Sequence, residues 1–283
     1  MDVRTRFWIG AVMAGGILSA PHSANAQWVK YPTPGAPRTR DGKVNLSAPA
    51  PRVNGKPDIS GLWQAEPTPL AELTAMFGDV GALAVPGDDP QTFSKYLFNV
   101  LADLKPEDSP LRPEFNELFG KRAQTIGADI PTSHCLPGGI PFGMLLPFPI
   151  KIVQTPGLIV MLLEADGTSR RVYTDGRKYP EDPQPLWMGY SVGRWEGDTL
   201  VVGTRGFNDK SWLDGLGHPH SEDMRVTERF QRRDFGHMDV QFTIDDPKTY
   251  TKPFSFTVTL RFVPDTDTLE WFCAENERDR KHL

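Results

Sequence analysis

Residues 224–232 read Met-Arg-Val-Thr-Glu-Arg-Phe-Gln-Arg, with apolar side chains at Met224, Val226 and Phe230 and polar ones between them. A period of two places alternate side chains on opposite faces and predicts a half-buried strand. Nine further segments carry strand character: 58–63, 151–155, 158–164, 170–174, 191–196, 199–205, 237–244, 254–263 and 269–273. Turn signals separate them, among them Pro156-Gly157, Glu196-Gly197-Asp198 and Phe235-Gly236. Many short strands with regular turns predict an antiparallel barrel or curled sheet. About eight strands would enclose room for one small ligand.

The rest of the chain has other patterns. Residues 28–57 are rich in proline and glycine and show no period, so the expected form is an extended arm over 27–57 that is ordered where it packs. Within 64–130 the pattern turns helical. Tyr96, Leu97, Val100, Leu101 and Leu104 fall on one face of a helix expected over 94–104. Phe115, Leu118, Phe119 and Arg122 do so over 113–126, which opens with Pro and Glu. A short helical insertion is thus predicted inside a single mainly β domain over 58–283.

The first 26 residues differ again. Arg4 and Arg6 precede a 14-residue apolar run and the small residues Ala24 and Ala26. This is the secretory pattern, with cleavage expected before Gln27, and the run is shorter than the roughly 20 residues a membrane helix needs. The mature chain would be periplasmic or secreted, with 29 Lys and Arg against 35 Asp and Glu. The basic residues are scattered, which argues against a nucleic-acid partner. No later segment is long and apolar enough to span a bilayer. The pattern specifies no oligomeric state. Two cysteines, Cys135 and Cys273, in an oxidising compartment suggest a disulfide contributing roughly 2–4 kcal/mol.

Candidate chemistry concentrates between Phe207 and Glu222 (FNDKSWLDGLGHPHSE), a glycine-rich loop holding Trp212, Asp214, His218, His220 and Glu222. Imidazoles titrate nearest neutrality, so His218 and His220 are the expected proton carriers, with Asp214 and Glu222 as acidic partners. His-x-His-x-Glu is also a workable metal set that His134 or His237 would complete, although no bound metal is assigned. A second cluster, residues 173–190, offers Arg177 to grip a carboxylate and Tyr173, Trp187 and Tyr190 to line an aromatic pocket. An Asp175–Arg177 turn with ordinary core aromatics accounts for the same residues. The loop Cys135-Leu136-Pro137-Gly138-Gly139 could wall a site, and the apolar run 142–148 could cover a barrel mouth.

Gly61-Leu62-Trp63 resembles the G-x-W on the first strand of lipocalin-like (calycin-like) barrels, where the Trp closes one barrel end. The block YTDGR…GYSVGRWEGDTLVV…GFND…WLD…GHPHSE resembles a large family of exported bacterial proteins, most of them hypothetical. More narrowly, the chain is similar to exported sphingomonad enzymes acting on lignin-derived phenylcoumarans, the decarboxylases and γ-formaldehyde lyases. That resemblance implies an aromatic small-molecule substrate and a lyase reaction using neither metal nor redox cofactor. A lipocalin-like carrier of an apolar or aromatic molecule, and a metal-dependent hydrolase or oxygenase, are the competing expectations.

Overall fold

A computed structural model describes residues 31–79, 92–125, 128–165, 167–270 and 272–273. The expected signal segment and its cleavage point lie outside the described residues. The arm carries a two-residue hairpin, β1 (Arg52–Val53) with β2 (Lys56–Pro57). Nine strands then close into a barrel: β3 (Gly61–Ala65), β4 (Ile150–Thr155), β5 (Leu158–Leu163), β6 (Ser169–Tyr173), β7 (Tyr190–Glu196), β8 (Thr199–Arg205), β9 (Arg225–Arg232), β10 (His237–Asp245) and β11 (Phe254–Phe262). Strands β4 to β11 start and stop within a residue or so of the alternating segments in the sequence.

The expectation of an all-antiparallel sheet needs one correction. A ring of nine strands cannot alternate direction all the way round, so one neighbouring pair must run parallel. That pair is β6 with β7, joined through Val172↔Ser191 and Tyr173↔Val192. Parallel neighbours need a long crossover, and the prolyl stretch 174–189 is that connection.

The expected strand over 269–273 is not seen in its described residues 269, 270, 272 and 273. Once β11 pairs with β3 (Leu260↔Ala65) the barrel has no free edge for it to join. The ninth strand is β3, where the sequence marks 58–63 with its Gly61-Leu62-Trp63. The insertion between β3 and β4 spans 66–149, longer than expected, and holds α1 (Leu70–Phe77), α2 (Lys95–Phe98), α3 (Asn116–Thr125) and α4 (Phe142–Leu145). The helix expected over 94–104 stops after one turn. Asn99 is extended and its side chain accepts the Leu101 N–H (2.8 Å), while the Val100 N–H goes to the Asp214 carboxylate (2.8 Å). Tertiary acceptors outbid the next helical turn.

Inward-facing positions are filled with side chains. Val226, Phe230, Met238, Val240, Phe242 and Ile244 are essentially inaccessible. Among them sits an ion pair, Arg170–Glu228, with neither side chain more than 1 % exposed. Arg170 also donates to Ser191 Oγ (3.1 Å) and Thr204 Oγ1 (2.8 Å) and meets Met144 Sδ at 3.6 Å. A buried pair is tolerable when its remaining hydrogen-bonding capacity is used. Met144 belongs to α4, whose four residues are all buried, while the rest of the run expected to cover the mouth is half-buried or, at Phe148, exposed. The expected roomy interior is occupied by this core.

The other end is closed by Trp63. It has no exposed surface, and its indole N–H donates to the Ile59 carbonyl (3.0 Å). The Arg232 guanidinium lies 4.8 Å from its ring centre and donates to the carbonyls of Asp58, Asp234 (3.1 Å) and Phe235 (2.5 Å). Desolvation lowers the Arg232 pKa to about 10. The arm seals this end further: the N–H groups of Phe235 and Gly236 donate to the carbonyls of Ala48 and Leu46, both at 2.7 Å.

Cys135 and Cys273 form a disulfide with Cα atoms 5.5 Å apart, tying the insertion to the segment after β11. Among the described residues no helix is long and apolar enough to cross a membrane.

Two stability predictions follow from these closures. Arg232→Met leaves three carbonyls without their donor and should cost about 3 kcal/mol in urea unfolding; an unchanged midpoint would show that the aromatic packing alone closes this end. Replacing both cysteines by serine should cost roughly 2–4 kcal/mol, and a reductant should then have no further effect on the melting temperature.

Candidate functional site

Strand directions place the insertion 66–149, the β8–β9 loop 206–224 and the β10–β11 loop 246–253 at one end of the barrel. The β8–β9 loop is stitched to α2 by Gly215 N–H to Leu97 O (2.7 Å) and Leu216 N–H to Phe98 O (3.1 Å). It folds back on itself through Leu213 N–H to His218 O (3.0 Å). Gly217 has φ of +96°, and a Cβ there would collide with the Arg122 side chain, so the turn requires glycine on two counts.

Asp214 organises the loop. Its carboxylate has no exposed surface and accepts four N–H donors: Val100 N (2.8 Å), Gly217 N (3.0 Å), His218 N (3.2 Å) and His218 Nδ1 (2.6 Å). A carboxylate can only accept, so Nδ1 of His218 carries the hydrogen and Nε2 presents its lone pair in the neutral ring. No hydrogen bond reaches that Nε2 among the described residues, and it is not a sealed atom. Phe119 of α3 stacks on the ring, with centroids 4.2 Å apart.

His220 has different neighbours. Its Nδ1 is 3.1 Å from the Ser221 carbonyl, which again only accepts, so Nδ1 holds the hydrogen. Nε2 therefore accepts from the Ser211 hydroxyl at 2.7 Å. Ser221 is held by Asp246, which accepts its N–H and its hydroxyl, each at 2.7 Å. Burial lowers the His220 pKa, so the ring is neutral at pH 7. The Tyr250 hydroxyl donates to the Pro219 carbonyl between the two histidines (2.8 Å), and burial raises its pKa far above the usual tyrosine range. Trp212 is buried beneath the Arg122 guanidinium, 4.6 Å from ring centre to Cζ. Gly139 completes a wall: a Cβ at its φ of +73° would stand 2.6 Å from Ser211 Oγ.

Asp214, His218, His220 and Trp212 are therefore gathered at the barrel mouth, and the glycine loop after Cys135 does form a wall. Glu222 is not part of this group. Its side chain is exposed and borders a separate surface hollow of about 440 Å³, shared with Arg205, Phe207, Met224 and Pro183. Glu222 sits in a tight turn closed by Met224 N–H to the Ser221 carbonyl (3.2 Å), which carries its side chain out to solvent. The metal alternative loses its donor set for the same reason. His220 has both ring nitrogens engaged, and His237 pairs with Asp234 (2.8 Å) in the turn at the far end. Among the described residues no three metal-capable side chains converge.

The second cluster also lies elsewhere. Tyr173 and Tyr190 project from the outer wall and stack at 5.2 Å. Arg177 covers Tyr173 (3.7 Å) but its fork is taken by Asp175, at 2.6 Å from Nη2. It is the turn ion pair rather than a free carboxylate receptor. Trp187 is half-buried in the crossover, its carbonyl facing Gly139. Ser211, Arg122, Phe119 and Tyr250 are site residues that local pattern did not mark. Only the apolar face shared by Phe119 and Arg122 hinted at two of them.

No family model, curated protein or solved structure matches this chain.

The depressed His220 pKa has a consequence for stability. An unfolded histidine takes up a proton near pH 6.5 while the native ring stays neutral, so stability is complete above that pH and falls as pH drops below it. Urea unfolding between about pH 7.5 and 5 should show a shallower loss for His220→Gln than for wild type. Parallel pH curves would mean that this ring is not the linked group.

Proposed function

We propose that the chain is a cofactor-independent lyase, exported and active at the barrel mouth on a phenylcoumaran-type aromatic dimer. The observation that supports it most is the pair of buried imidazoles on one loop with different partners. His218 is oriented by Asp214 with Nε2 left open, and His220 is kept neutral with Ser211 on its Nε2. An oriented imidazole with one open nitrogen can take a proton and return it, so His218 serves as base and then acid while neutral His220 holds the Ser211 hydroxyl.

Ring opening starts with a phenolic proton, whose ordinary pKa is about 10. His218 Nε2 takes it, and Asp214 stabilises the imidazolium that results. The electron pair of the phenolate expels the dihydrofuran oxygen and forms a quinone methide. The departing phenoxide takes the proton that His218 Nε2 now carries, and the phenolate regenerated at the end takes one from water for the acid or from the hydroxyl of the alcohol. The quinone methide then accepts the electron pair of the bond to the side-chain carbon. That carbon leaves as carbon dioxide from an acid or as formaldehyde from an alcohol, and the product is a stilbene. Half-buried Phe119 supplies flat apolar surface beside His218.

A carrier function has weaker support, because large side chains fill the barrel where a lipocalin-type ligand would sit. The test is purified mature protein incubated with a racemic phenylcoumaran acid, and separately with the alcohol, followed by chromatography. Wild type should form a stilbene from one of them, in the presence or absence of a chelator. His218→Ala should lower the rate on the order of 10²–10⁴-fold. No stilbene from wild type with either compound would overturn the proposal.

A further inference from the structure

Three other arginines show how the fold satisfies a guanidinium. Arg170 holds Glu228, Arg177 holds Asp175, and Arg232 holds three carbonyls. Arg122 does not follow this pattern. Its side chain is half-buried over the Trp212 ring, and its one hydrogen bond is from Nη1 to the Gly217 carbonyl (3.2 Å). No carboxylate stands within ion-pair distance of it among the described residues. A guanidinium has five N–H donors in a planar fork. The nitrogens not used by Gly217 are not sealed from solvent. Desolvation lowers its pKa, the expected signature of a cation removed from water without an anion in exchange.

Its position is equally specific. Arg122 lies one turn after Phe119 on α3, and Phe119 stacks on His218. Trp212 beneath the fork fixes its plane, and its charge is felt at His220. One helix face thus brings an unpaired cation and an aromatic platform to the two imidazoles.

We propose that Arg122 is the anion-recognition residue of this site, and that it selects a substrate bearing a carboxylate. The assignment of Arg122 rests on geometry alone, while its use in turnover rests on the lyase reading above. In that reaction the carboxylate is the group that departs. The bond from its carbon to the side chain breaks, the electron pair enters the quinone methide, and carbon dioxide leaves uncharged. An ion pair stabilises the bound acid as much as anything later, so Arg122 acts on affinity and discrimination. The pairing is a charge-assisted, bidentate contact that a neutral hydroxymethyl group cannot replace.

The test measures dissociation constants by tryptophan fluorescence, using a phenylcoumaran acid and the matching alcohol as probes. Wild type should bind the acid at least about tenfold more tightly than the alcohol at low salt, a preference that shrinks at about 0.5 M NaCl. Arg122→Gln should abolish the preference at an unchanged circular dichroism spectrum, and Arg122→Lys should keep part of it. In turnover, the glutamine variant should show its loss in KM more than in kcat. Equal affinity of wild type for both probes, binding of neither, or a preference that persists in Arg122→Gln would overturn the assignment. If that variant does not fold, a wild-type preference insensitive to salt overturns it instead. Wild type that prefers the acid in a salt-sensitive way yet yields no stilbene would sink the lyase reading and leave Arg122 as an anion receptor.

Discussion

Asp214 carries a carboxylate with no contact to water, and such burial is tolerable only because four N–H groups point at it. Three of those donors come from its own loop and one from Val100 in the insertion. The same contact therefore bends the β8–β9 loop into shape, anchors the helical insertion above it and sets the tautomer of His218. Remove it and the turn at Gly217, the seat of α3 and the open nitrogen all lose their common support.

The barrel beneath serves as a rigid stand. Its interior is packed with aromatic and branched side chains around the Arg170–Glu228 pair, and its two ends are sealed by unlike means. Trp63 and Arg232 close the end where the arm wraps. At the other end α4 fills the mouth, and the loops rising beyond it hold the polar groups. An interior without room leaves the polar, titratable groups to the loops, where binding and reactive side chains are commonly carried. The disulfide between Cys135 and Cys273 then binds the wall of that region to the chain's last described residues.

Arginine shows how strongly neighbours decide a role. Arg170 is neutralised inside the barrel, Arg177 is spent on a local turn, and Arg232 caps an indole. Arg122, on a helix that buries no residue fully, is the one left facing the imidazoles without an anion. The four side chains are chemically identical, so the difference lies wholly in what the fold places within a few ångströms.

Local pattern was enough for β4 to β11, because a period of two is written in adjacent residues and each half-buried strand must obey it; it also marked 269–273, which the closed ring leaves no edge to join. The His218–His220 loop was visible too, as titratable groups packed among glycines. Cys135 and Cys273 could be paired because there were only two of them. What the tertiary structure decided depends on partners far apart in the chain. The helix after Lys95 ends early because Asp214, 114 residues beyond Val100, claims its N–H. Ser211 matters because Asp246 and Ser221 aim His220 at it, and Glu222 does not because its segment turns it outward. The parallel pair of strands is a property of the closed ring, which no strand contains by itself. Sequence determines what each residue can do over a few neighbours, while burial and the identity of distant partners, which set charge state and direction, exist only after the chain has closed on itself.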